Sequence, residues 1–416
     1  MSSRFPSVPL GDLCEVTIGR QRSPKNHSGD HMVQYLRAAN VKDGRLNLSN
    51  VMAMNFDPCE QESYALRRGD VLVTEGCGSP AELGASARWN DDLTGTVCFQ
   101  NTLLRLRARP GISDPSYLYL LARWCHSSGA WLTASSGTSI LHIGHTRAKR
   151  IPVPVPTLDV QRKIGSVVSA YDDLIENNNR RIKLLEEMAQ RIYREWFVEF
   201  RYPGHESAPL VDSELGRLPE GWFAAPLFEI AEVTFGYPFK SELFNGDYGL
   251  PVIRIRDIPN GESGTLTTEE PPGIYRVSDG DILIGMDGNF HMGRWSAGDA
   301  WLNQRVTRLR VTSKAVCRYA LFLALEKPIG DWNQAIVGTT VAHLGKSHLE
   351  RVKIPVPPPD LGMQLSALLD PLFDFEITLR KSNRNLRKAR DVLLPRLLSG
   401  EIDVTDLDIA LAVTAA

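Results

Sequence analysis

The chain has 416 residues and a nearly balanced charge, with 47 Lys and Arg against 49 Asp and Glu and a net charge of −2. This length predicts roughly two or three domains, and the charge argues against a uniformly basic nucleic-acid binder while remaining compatible with a local basic face. The sequence has no run of about 18 apolar residues, so no membrane span is predicted. Its six cysteines have no Cys-x-x-Cys spacing, which is typical of free thiols in a reducing cytoplasm.

Residues 1–156 predict a first globular body rich in strands. A polar loop carrying Arg20, Arg22 and Lys25 follows an apolar segment that ends at Gly19. Alternating apolar residues then predict strands and a later segment predicts a helix; the strands lie within 35–41, 66–73 and 100–107, and the helix within 115–125. The body ends with the loop Gly137-Thr138-Ser139 and the arm Pro152-Val153-Pro154-Val155-Pro156, whose alternating prolines favour an extended chain.

Residues 157–200 predict one long helix. Its apolar positions alternate steps of three and four, with one additional step of four near the asparagine; they are Ile164, Val167, Tyr171, Leu174, Asn178, Ile182, Leu185, Ala189, Ile192 and Trp196. This spacing is typical of a coiled-coil seam with a local slip. About 40 residues at 1.5 Å each give a rod of roughly 60 Å, which needs a partner helix of similar length.

Residues 201–221 predict a linker of turns, and residues 222–358 a second globular body that repeats the first. The matching landmarks are Val16-Thr17-Ile18-Gly19 with Val233-Thr234-Phe235-Gly236, Leu36-Arg37 with Ile253-Arg254, Gly69-Asp70-Val71-Leu72 with Gly280-Asp281-Ile282-Leu283, and Gln100-Asn101 with Asn303-Gln304. An Arg-x-Arg strand follows the last landmark in each copy (Arg105 and Arg107; Arg308 and Arg310). The spans between landmarks differ, which predicts a shared scaffold with divergent loops.

Residues 359–400 predict the partner helix, and residues 401–416 form a tail. Adding 201 to positions of the first helix gives apolar positions of the second, such as Leu365 from Ile164 and Leu397 from Trp196. The same offset relates the Gly137 loop to Gly338-Thr339-Thr340 and the first proline arm to Pro355-Val356-Pro357. The chain is therefore a duplicated unit of globular body plus helix. Pro395 predicts a kink or restart in the second helix, and Gly400 its end.

A two-fold relation between the repeats would pair the helices antiparallel. The best match of the two apolar seams then opposes Asn178 to Asn383, Ile164 to Leu397 and Trp196 to Leu365. A polar residue in an apolar seam costs stability and specifies register. The two asparagines therefore predict either a hydrogen-bonded pair near the middle of the rod or a solvated slip.

No catalytic constellation stands out in the sequence. It has no Gly-Lys-Ser/Thr phosphate loop, no Glu-x-Lys triplet and no His-Glu-x-x-His metal motif. The glycine-containing stretch 76–81 includes Pro80 and lacks a clear following helix, which disfavours a dinucleotide loop. His142 and His343 lie at matching repeat positions, and structural or polar contacts are favoured over catalysis for both.

The duplicated order of landmarks, proline arms and long helices resembles the specificity subunit of type I restriction-modification systems over essentially the whole chain. The helix ends also carry the resemblance, with Glu195-Trp196-Phe197-Val198-Glu199-Phe200 in the first and Leu393-Leu394-Pro395-Arg396-Leu397-Leu398 in the second. The resemblance implies an α+β fold: two similar mixed α/β target-recognition domains separated by two long antiparallel coiled-coil helices, with a pseudo-two-fold internal repeat. The second helix departs from the pattern at its start, where Gly362-Met363 precedes Gln364.

The resemblance also implies a function and partners. A chain of this family is a non-catalytic subunit: each recognition domain recognises one half of a bipartite double-stranded DNA site, and the helices set the spacing and dock two methyltransferase subunits. Restriction/translocase subunits join the larger complex. No cofactor is expected on this chain, since S-adenosylmethionine, ATP and Mg belong to the partner subunits. The alternative is a protein–protein scaffold without DNA readout, which the mildly acidic charge favours.

Basic and polar residues in the loops are the candidate DNA contacts, because Arg can bind guanine and Asn adenine through two hydrogen bonds. A solvated surface charge or a phosphate contact is left equally open for each. The Gly-Thr-Ser/Thr loops either approach the DNA backbone or are simply tight turns. The candidates are Arg20, Arg22, Lys25, Arg37, Lys42, Thr138 and Ser139 in the first body, and Lys240, Arg254, Arg256, Asn289, His291, Arg294, Thr339 and Thr340 in the second.

Overall fold

The computed structural model describes residues 4–42, 44–335 and 343–409. The chain divides into two compact units, one formed by residues 1–173 with 386–416 and the other by residues 174–385. Both long helices cross this division, so each unit contains one globular body and a portion of each long helix. The described helices and strands alternate along the chain, in agreement with the α+β class predicted from the sequence.

The first unit begins with short strands and helices around a mostly antiparallel core. Its strands are β1 (Ser7–Pro9), β2 (Cys14–Ile18), β3 (Met32–Leu36), β4 (Val41–Lys42), β5 (Arg45–Leu46), β6 (Met52–Asn55), β7 (Val71–Thr74), β8 (Gly76–Cys77), β9 (Ser86–Arg88), β10 (Val97–Phe99), β11 (Leu103–Ala108), β12 (Leu141–His142) and β13 (Pro152–Pro154). Its helices are α1 (Leu10–Leu13), α2 (Pro58–Tyr64), α3 (Pro115–Ser127), α4 (Ala130–Thr133) and α5 (His145–Lys149). The long helix α6 (Leu158–Phe197) follows directly.

The second unit repeats this arrangement after α6. Its strands are β14 (Leu210–Ser213), β15 (Gly216–Pro219), β16 (Phe223–Pro226), β17 (Ala231–Phe235), β18 (Phe244–Asn245), β19 (Leu250–Ile253), β20 (Leu266–Thr267), β21 (Arg276–Val277), β22 (Ile282–Gly285), β23 (Met292–Arg294), β24 (Ala300–Leu302), β25 (Val306–Val311) and β26 (Lys353–Val356). Its helices are α7 (Leu227–Ile230), α8 (Arg318–Ala335) and α9 (Lys346–Leu349), followed by the second long helix α10 (Pro359–Ser399).

Sheet topology confirms the duplication that the landmarks predict. Each unit has an antiparallel four-stranded sheet, ordered β2-β11-β7-β9 in the first and β17-β25-β22-β23 in the second. A parallel strand pair accompanies it in both units: β3 with β10, and β19 with β24. Each body is also closed by a strand from the proline arm, because β13 pairs with β1 and β26 pairs with β16.

The Arg-x-Arg strands carry the same buried charge network in both units. Arg105 lies in the sheet with 1% of its surface exposed, and its guanidinium donates to Glu15 and Thr17. Arg308 is equally buried and donates to Glu232 and Thr234. The outer arginines pair with the aspartates before the neighbouring strand: Arg107 with Asp70 and Arg310 with Asp281.

Burial and charge oppose each other in this network. Desolvation, together with the like charge of Arg107, lowers the pKa of Arg105. Burial would raise the pKa of Glu15, but the Thr17 hydroxyl and the two arginines lower it on balance. Removing one partner of a buried ion pair leaves an uncompensated charge. The four groups therefore depend on one another, and both copies contain all of them.

The long helices pack against each other antiparallel within each unit. In the first unit, Ile164 of α6 and Leu397 of α10 belong to one apolar core, and Arg390 pairs with Asp172 at 2.5 Å. In the second unit, Trp196 and Leu365 share a core. These neighbours agree with the antiparallel register that the sequence predicts.

The seam differs from the predicted one in its first half. Val168 and Ile175 are buried, whereas Leu174 is 44% exposed. The corrected positions alternate four and three without interruption: 164, 168, 171, 175, 178, 182, 185, 189, 192 and 196. The predicted slip is therefore wrong, and the heptad is continuous. It was misplaced because Val167-Val168 and Leu174-Ile175 each offer two adjacent apolar residues.

Asn178 and Asn383 meet in the second unit. The Asn178 side-chain amide donates to Asn383 Oδ1 at 2.9 Å, and the Asn383 amide donates to Asn179 Oδ1 at 2.9 Å. Asn178 is only 3% exposed and Asn383 only 2% exposed. The structure thus contains the hydrogen-bonded pair rather than a solvated slip.

Two local expectations are corrected by the structure. Helix α10 runs through Pro395 to Ser399, so the predicted restart is wrong, while the kink given as its alternative stays a prediction; Leu394, Leu397 and Leu398 are buried on either side of the proline in the chain. The 201–221 segment contains the β14–β15 hairpin and is more than a series of turns. Gly400 ends α10 in the left-handed conformation, as predicted. Among the described residues, no helix combines the length and apolar character needed to cross a membrane.

Candidate nucleic-acid interface

Five loops of the first unit converge at one end of its sheets, here called loop end 1 (residues 19–27, 37–42, 75–82, 99–102 and 136–144). Backbone hydrogen bonds join them in sequence: Asn101 N donates to Arg20 O, Gln100 N to Leu36 O, and Glu75 N to Thr102 O, at 2.8–3.0 Å. The Ile143 amide then donates to Glu75 O at 3.0 Å. Most of the first body's candidate residues therefore lie on one surface.

The equivalent surface of the second unit is loop end 2 (residues 236–240, 254–260, 286–291, 303–305 and 343–345). Tyr237 bridges to Asn303 as Arg20 bridges to Gln100. The Met286 amide donates to Arg305 O at 2.9 Å, and the Leu344 amide donates to Met286 O at 2.7 Å. The two loop ends therefore share one backbone framework and differ in their side chains.

A close backbone approach at each loop end requires glycine. A Cβ on Gly19 would lie 2.2 Å from the Gln100 carbonyl oxygen, and one on Gly236 would lie 1.9 Å from the Asn303 carbonyl oxygen. These are the glycines that end the first landmark in each copy. The landmark is therefore retained for the contact that joins the first loop to the start of the Arg-x-Arg strand.

Loop end 1 brings most of its sequence-predicted residues to the surface. Arg22 and Lys25 are exposed, as are the loop residues Thr138 and Ser139. Lys42 is about half exposed and lies 3.6 Å from Glu82. Arg37 is half-buried at the end of β3, where its backbone amide donates to Asn40 Oδ1 at 3.1 Å.

Arg20 is the exception at loop end 1. Its guanidinium pairs with Glu60 at 2.6 Å, donates to the Asn55 carbonyl and lies 5.0 Å from the centre of the Phe56 ring. Its side chain is only 16% exposed. These contacts hold Arg20 within the loop, and its role as a DNA contact stays a prediction.

Loop end 2 presents a similar set. Lys240 and Arg256 are exposed, and Asn289 is exposed beside the half-buried His291. Arg254 occupies the position of Arg37: its backbone amide donates to Asp257 Oδ2 at 2.9 Å, and its guanidinium lies 5.5 Å from the Phe244 ring centre. Thr339 and Thr340 lie outside the described residues.

Arg294 is not a surface residue and is corrected as a DNA-contact candidate. Its side chain is 7% exposed and lies 2.7 Å from Glu186 of α6 and 2.8 Å from Glu376 of α10. It also lies over the rings of Tyr319 and Phe322, at 4.9 and 4.2 Å from their centres. Arg294 therefore ties β23 to both long helices inside the second unit.

Sequence reasoning missed two features of the loop ends. Arg305, which directly follows the Asn303-Gln304 landmark, is 54% exposed beside Asp287. Both matching histidines are bonded to carboxylates: His142 Nδ1 lies 2.9 Å from Glu75 Oε2, and His343 Nδ1 lies 2.6 Å from Asp287 Oδ1. The repeat offset identified the histidines, but it carried no signal for their carboxylate partners.

The chemistry of the loop ends is that of binding. Guanidinium and ammonium groups suit phosphates and guanine, and amides suit adenine. Within residues 4–42, 44–335 and 343–409, no group of three or more His, Cys, Asp or Glu side chains could hold a metal ion. All six cysteines are free thiols, and burial raises the pKa of Cys14, Cys98, Cys125 and Cys317 to about 12.

A second surface lies on the helix pair of the second unit, here called the helix flank (Leu174, Arg181, Met188, Leu368 and Phe375). The three residues of α6 are spaced by seven, as are the two of α10, so each set lies on one face of its helix. The Arg181 guanidinium lies 4.9 Å from the Phe375 ring centre, which places both rows side by side. Leu174, Met188, Leu368 and Phe375 are 40–50% exposed.

Comparisons with known proteins match the chain in both units. The family profile described as "Type I restriction modification DNA specificity domain" matches residues 3–187 and 219–386. The MjaIX specificity subunit of Methanocaldococcus jannaschii is 26% identical over 356 residues, covering 82% of this chain and 79% of the relative. The MjaVIII specificity subunit of the same organism is 24% identical over 418 residues, covering 96% and 93%.

The fold is shared with a solved structure of a related subunit. The S subunit of the type I restriction-modification system from M. genitalium superimposes with a TM-score of 0.59 at 16% sequence identity. The superposition covers 95% of this chain and 96% of that one. The likeness supports the two-copy α+β architecture that the sequence predicts.

Proposed function

The chain belongs to the family of type I restriction-modification DNA specificity domains, and we propose that each of its units recognises one half of a bipartite double-stranded DNA site. Loop end 1 contacts one half-site and loop end 2 the other. Membership in the family gives DNA sequence specificity as the general role. The assignment of one half-site to each unit is the more specific proposal.

One observation carries this proposal: two loop ends share a backbone framework and differ in their exposed side chains. Arg37 and Arg254 occupy the same position and are held by equivalent backbone hydrogen bonds. Around them, Arg22, Lys25 and Lys42 in one copy are replaced by Lys240, Arg256 and Asn289 in the other. A common framework with different polar groups suits two readers of unlike base sequences.

We propose that this chain contributes recognition and that partner subunits supply the chemistry. The loop ends offer donors for DNA, and the sequence lacks phosphate-loop and metal-nuclease motifs. S-adenosylmethionine, ATP and Mg would then be bound by two methyltransferase subunits and by restriction/translocase subunits. The chain itself would remain non-catalytic.

The helix flank is the proposed docking surface for a methyltransferase subunit. Leu174, Met188, Leu368 and Phe375 form apolar rows that water would otherwise solvate. Contiguous exposed apolar residues on a soluble protein mark interaction surfaces. Arg181, stacked on Phe375, adds a charged group that can fix the orientation of a partner.

A domain exchange tests the two-reader proposal. Replacing residues 1–155 with the corresponding segment of a relative should change one half-site and leave the other half-site and the spacer unchanged, because loop end 2 and both helices are untouched. The measurement is genome-wide mapping of N6-methyladenine in cells carrying either chain with its methyltransferase. Exchange of residues 222–358 is the matched control and should change only the other half-site.

Two outcomes contradict the proposal. If either exchange alters both half-sites together, the two units do not act as separate readers. If methylation positions are the same with and without this chain, it does not supply sequence specificity.

A further inference from the structure

The two histidine–carboxylate pairs are the feature of the loop ends that base recognition does not explain. His142 is 53% exposed and His343 is 49% exposed, yet each ring is held by a carboxylate that is largely or partly buried. Glu75 is 4% exposed, and its second oxygen accepts a hydrogen bond from the Gly144 amide at 3.1 Å. Arg305 Nε lies 3.2 Å from Asp287 Oδ2, the oxygen that is not bonded to His343.

The backbone also fixes both histidines in the same place. His142 pairs with Gly76 of β8, and a Cβ on Gly76 would lie 2.8 Å from the imidazole ring. His343 bridges to Asp287, the residue that corresponds to Gly76 when the landmark starting at Gly69 is aligned with the one starting at Gly280. The first copy therefore uses a glutamate one residue earlier and the second a shorter aspartate directly opposite the histidine. Different residues produce the same pair.

From this we infer that His142 and His343 are phosphate-binding residues, each contacting the DNA backbone beside its half-site. The inference rests on the proposed function, since it assigns a contact within the same loop ends. The divergent loops suit different bases, but a group retained in both copies suits the part of DNA that does not vary with sequence. That part is the sugar–phosphate backbone.

The hydrogen-bond chemistry defines the charge state. The carboxylate accepts a hydrogen bond from Nδ1–H, which leaves Nε2 as the ring nitrogen available to a ligand. Donation from Nε2 to a phosphate oxygen then requires the imidazolium. The hydrogen bond to Glu75 or Asp287 fixes the orientation of the ring.

Charged and titratable residues contact each histidine or lie close to it on the adjoining strand or loop. Around His142 they are Glu75, the Arg147 guanidinium that donates to the His142 carbonyl at 2.8 Å, and Cys77 on the paired strand. Around His343 they are Asp287, Arg305 and His348, whose Nδ1 accepts from the Gly345 amide. Binding by an imidazolium places a positive charge beside the DNA backbone at each histidine, so it predicts a salt-dependent contribution to DNA affinity.

The test uses the complex of this chain with its methyltransferase subunits and two DNA duplexes. One duplex contains the sequence that the complex methylates, and the other contains a scrambled version of that sequence. His142→Gln combined with His343→Gln should weaken binding to both duplexes by roughly tenfold. The slope of log affinity against log salt should become shallower by about 0.9 for each histidine lost. His205→Gln replaces a half-buried histidine outside both loop ends; it is the control and should bind like the wild type.

A second variant separates charge from structure. His142→Arg with His343→Arg restores a cationic donor, so the salt slope should return toward the wild-type value. Wild-type affinity and slope in the Gln double variant would overturn the inference. Loss confined to one base position with an unchanged slope would also overturn it and would indicate base contact. If the wild-type complex fails to prefer the methylated site over the scrambled one, the proposed function fails instead.

Discussion

Arginine shows how far the fate of one residue type depends on its surroundings in this protein. Arg105 and Arg308 are buried within the sheets, Arg294 ties a strand to the long helices, and Arg22 and Arg256 remain at the surface. A buried arginine has a carboxylate or carbonyl partner for its charge, whereas an exposed one is available for a ligand. The burial of Arg294 separates its role from that of Arg256.

Replacing Arg294 with Met should destabilise the protein without changing the DNA sequence recognised. Among the residues that the structure describes, the substitution leaves Arg380 as the one ion-pair partner of the fully buried Glu376 and the partly buried Glu186, and we expect a loss of about 3 kcal/mol in the free energy of unfolding. Arg256→Met is the matched control and should cost less than about 1 kcal/mol, since the Arg256 side chain is 69% exposed, lies 3.8 Å from Asp257, and leaves that carboxylate bonded to the Arg254 amide. Chemical denaturation measures both.

A change in the methylated bases would contradict this prediction. If Arg294→Met alters the recognised sequence while its stability equals that of Arg256→Met, Arg294 acts as a DNA contact after all.

The long helices show the same dependence at the scale of an element. Their heptad is continuous, and the buried polar residues Asn178, Asn383 and Glu376 occupy seam positions. Each is satisfied by a specific partner: the asparagines bond to each other, and Glu376 accepts from Tyr319 at 2.9 Å as well as from the arginines. A misregistered helix pair would leave these groups buried without partners, which costs more than an apolar mismatch.

A double-mutant cycle tests the asparagine pair. Asn178→Leu alone leaves Asn383 Oδ1 buried without its donor and should cost about 1–3 kcal/mol. Asn178→Leu with Asn383→Leu should recover most of that loss, because two apolar residues then face each other, at the expense of register specificity. Unfolding free energies of the two single variants and the double variant give the coupling. Purely additive losses would show that the two side chains do not depend on each other.

At the scale of the whole molecule, the chain is a duplicated unit in which two helices continue from one compact unit into the other. If these helices set the distance between the two half-sites, their length and not the loop ends should determine the spacer. The proposed function therefore separates two properties of the DNA site: base identity belongs to the loops, and spacing belongs to the helices.

Inserting one heptad after Asp173 in α6 and one before Leu386 in α10 should lengthen the spacer and leave both half-sites unchanged. Seven residues at 1.5 Å extend a helix by about 10 Å, or roughly three base pairs, and a whole heptad keeps the seam in phase. Methylation mapping reads the spacer directly. A four-residue insertion in each helix is the control: it disturbs the seam and should reduce methylation overall. An unchanged spacer with full methylation in the heptad variant would remove the helices from this role.

Much of the architecture was accessible from the sequence because it depends on repetition and local period. The offset near 200 residues identified the two copies, their matching landmarks, and the antiparallel register that opposes Asn178 to Asn383. Gly19, Gly236 and the Arg-x-Arg strands were recognisable because the duplication preserved them. The fold class and the family followed from these same features.

Only the tertiary structure decided which face of a helix or loop is buried. Where two apolar residues are adjacent, as at Val167-Val168 and Leu174-Ile175, a helical period permits either one in the seam, and packing against α10 selects the second. Arg294 and Arg256 are the same type of residue, so the sequence alone does not distinguish their roles. Arg294 is buried by partners that lie more than 80 residues away in the chain. The histidine–carboxylate pairs likewise join residues 56 and 67 positions apart, so local sequence patterns contain no record of them.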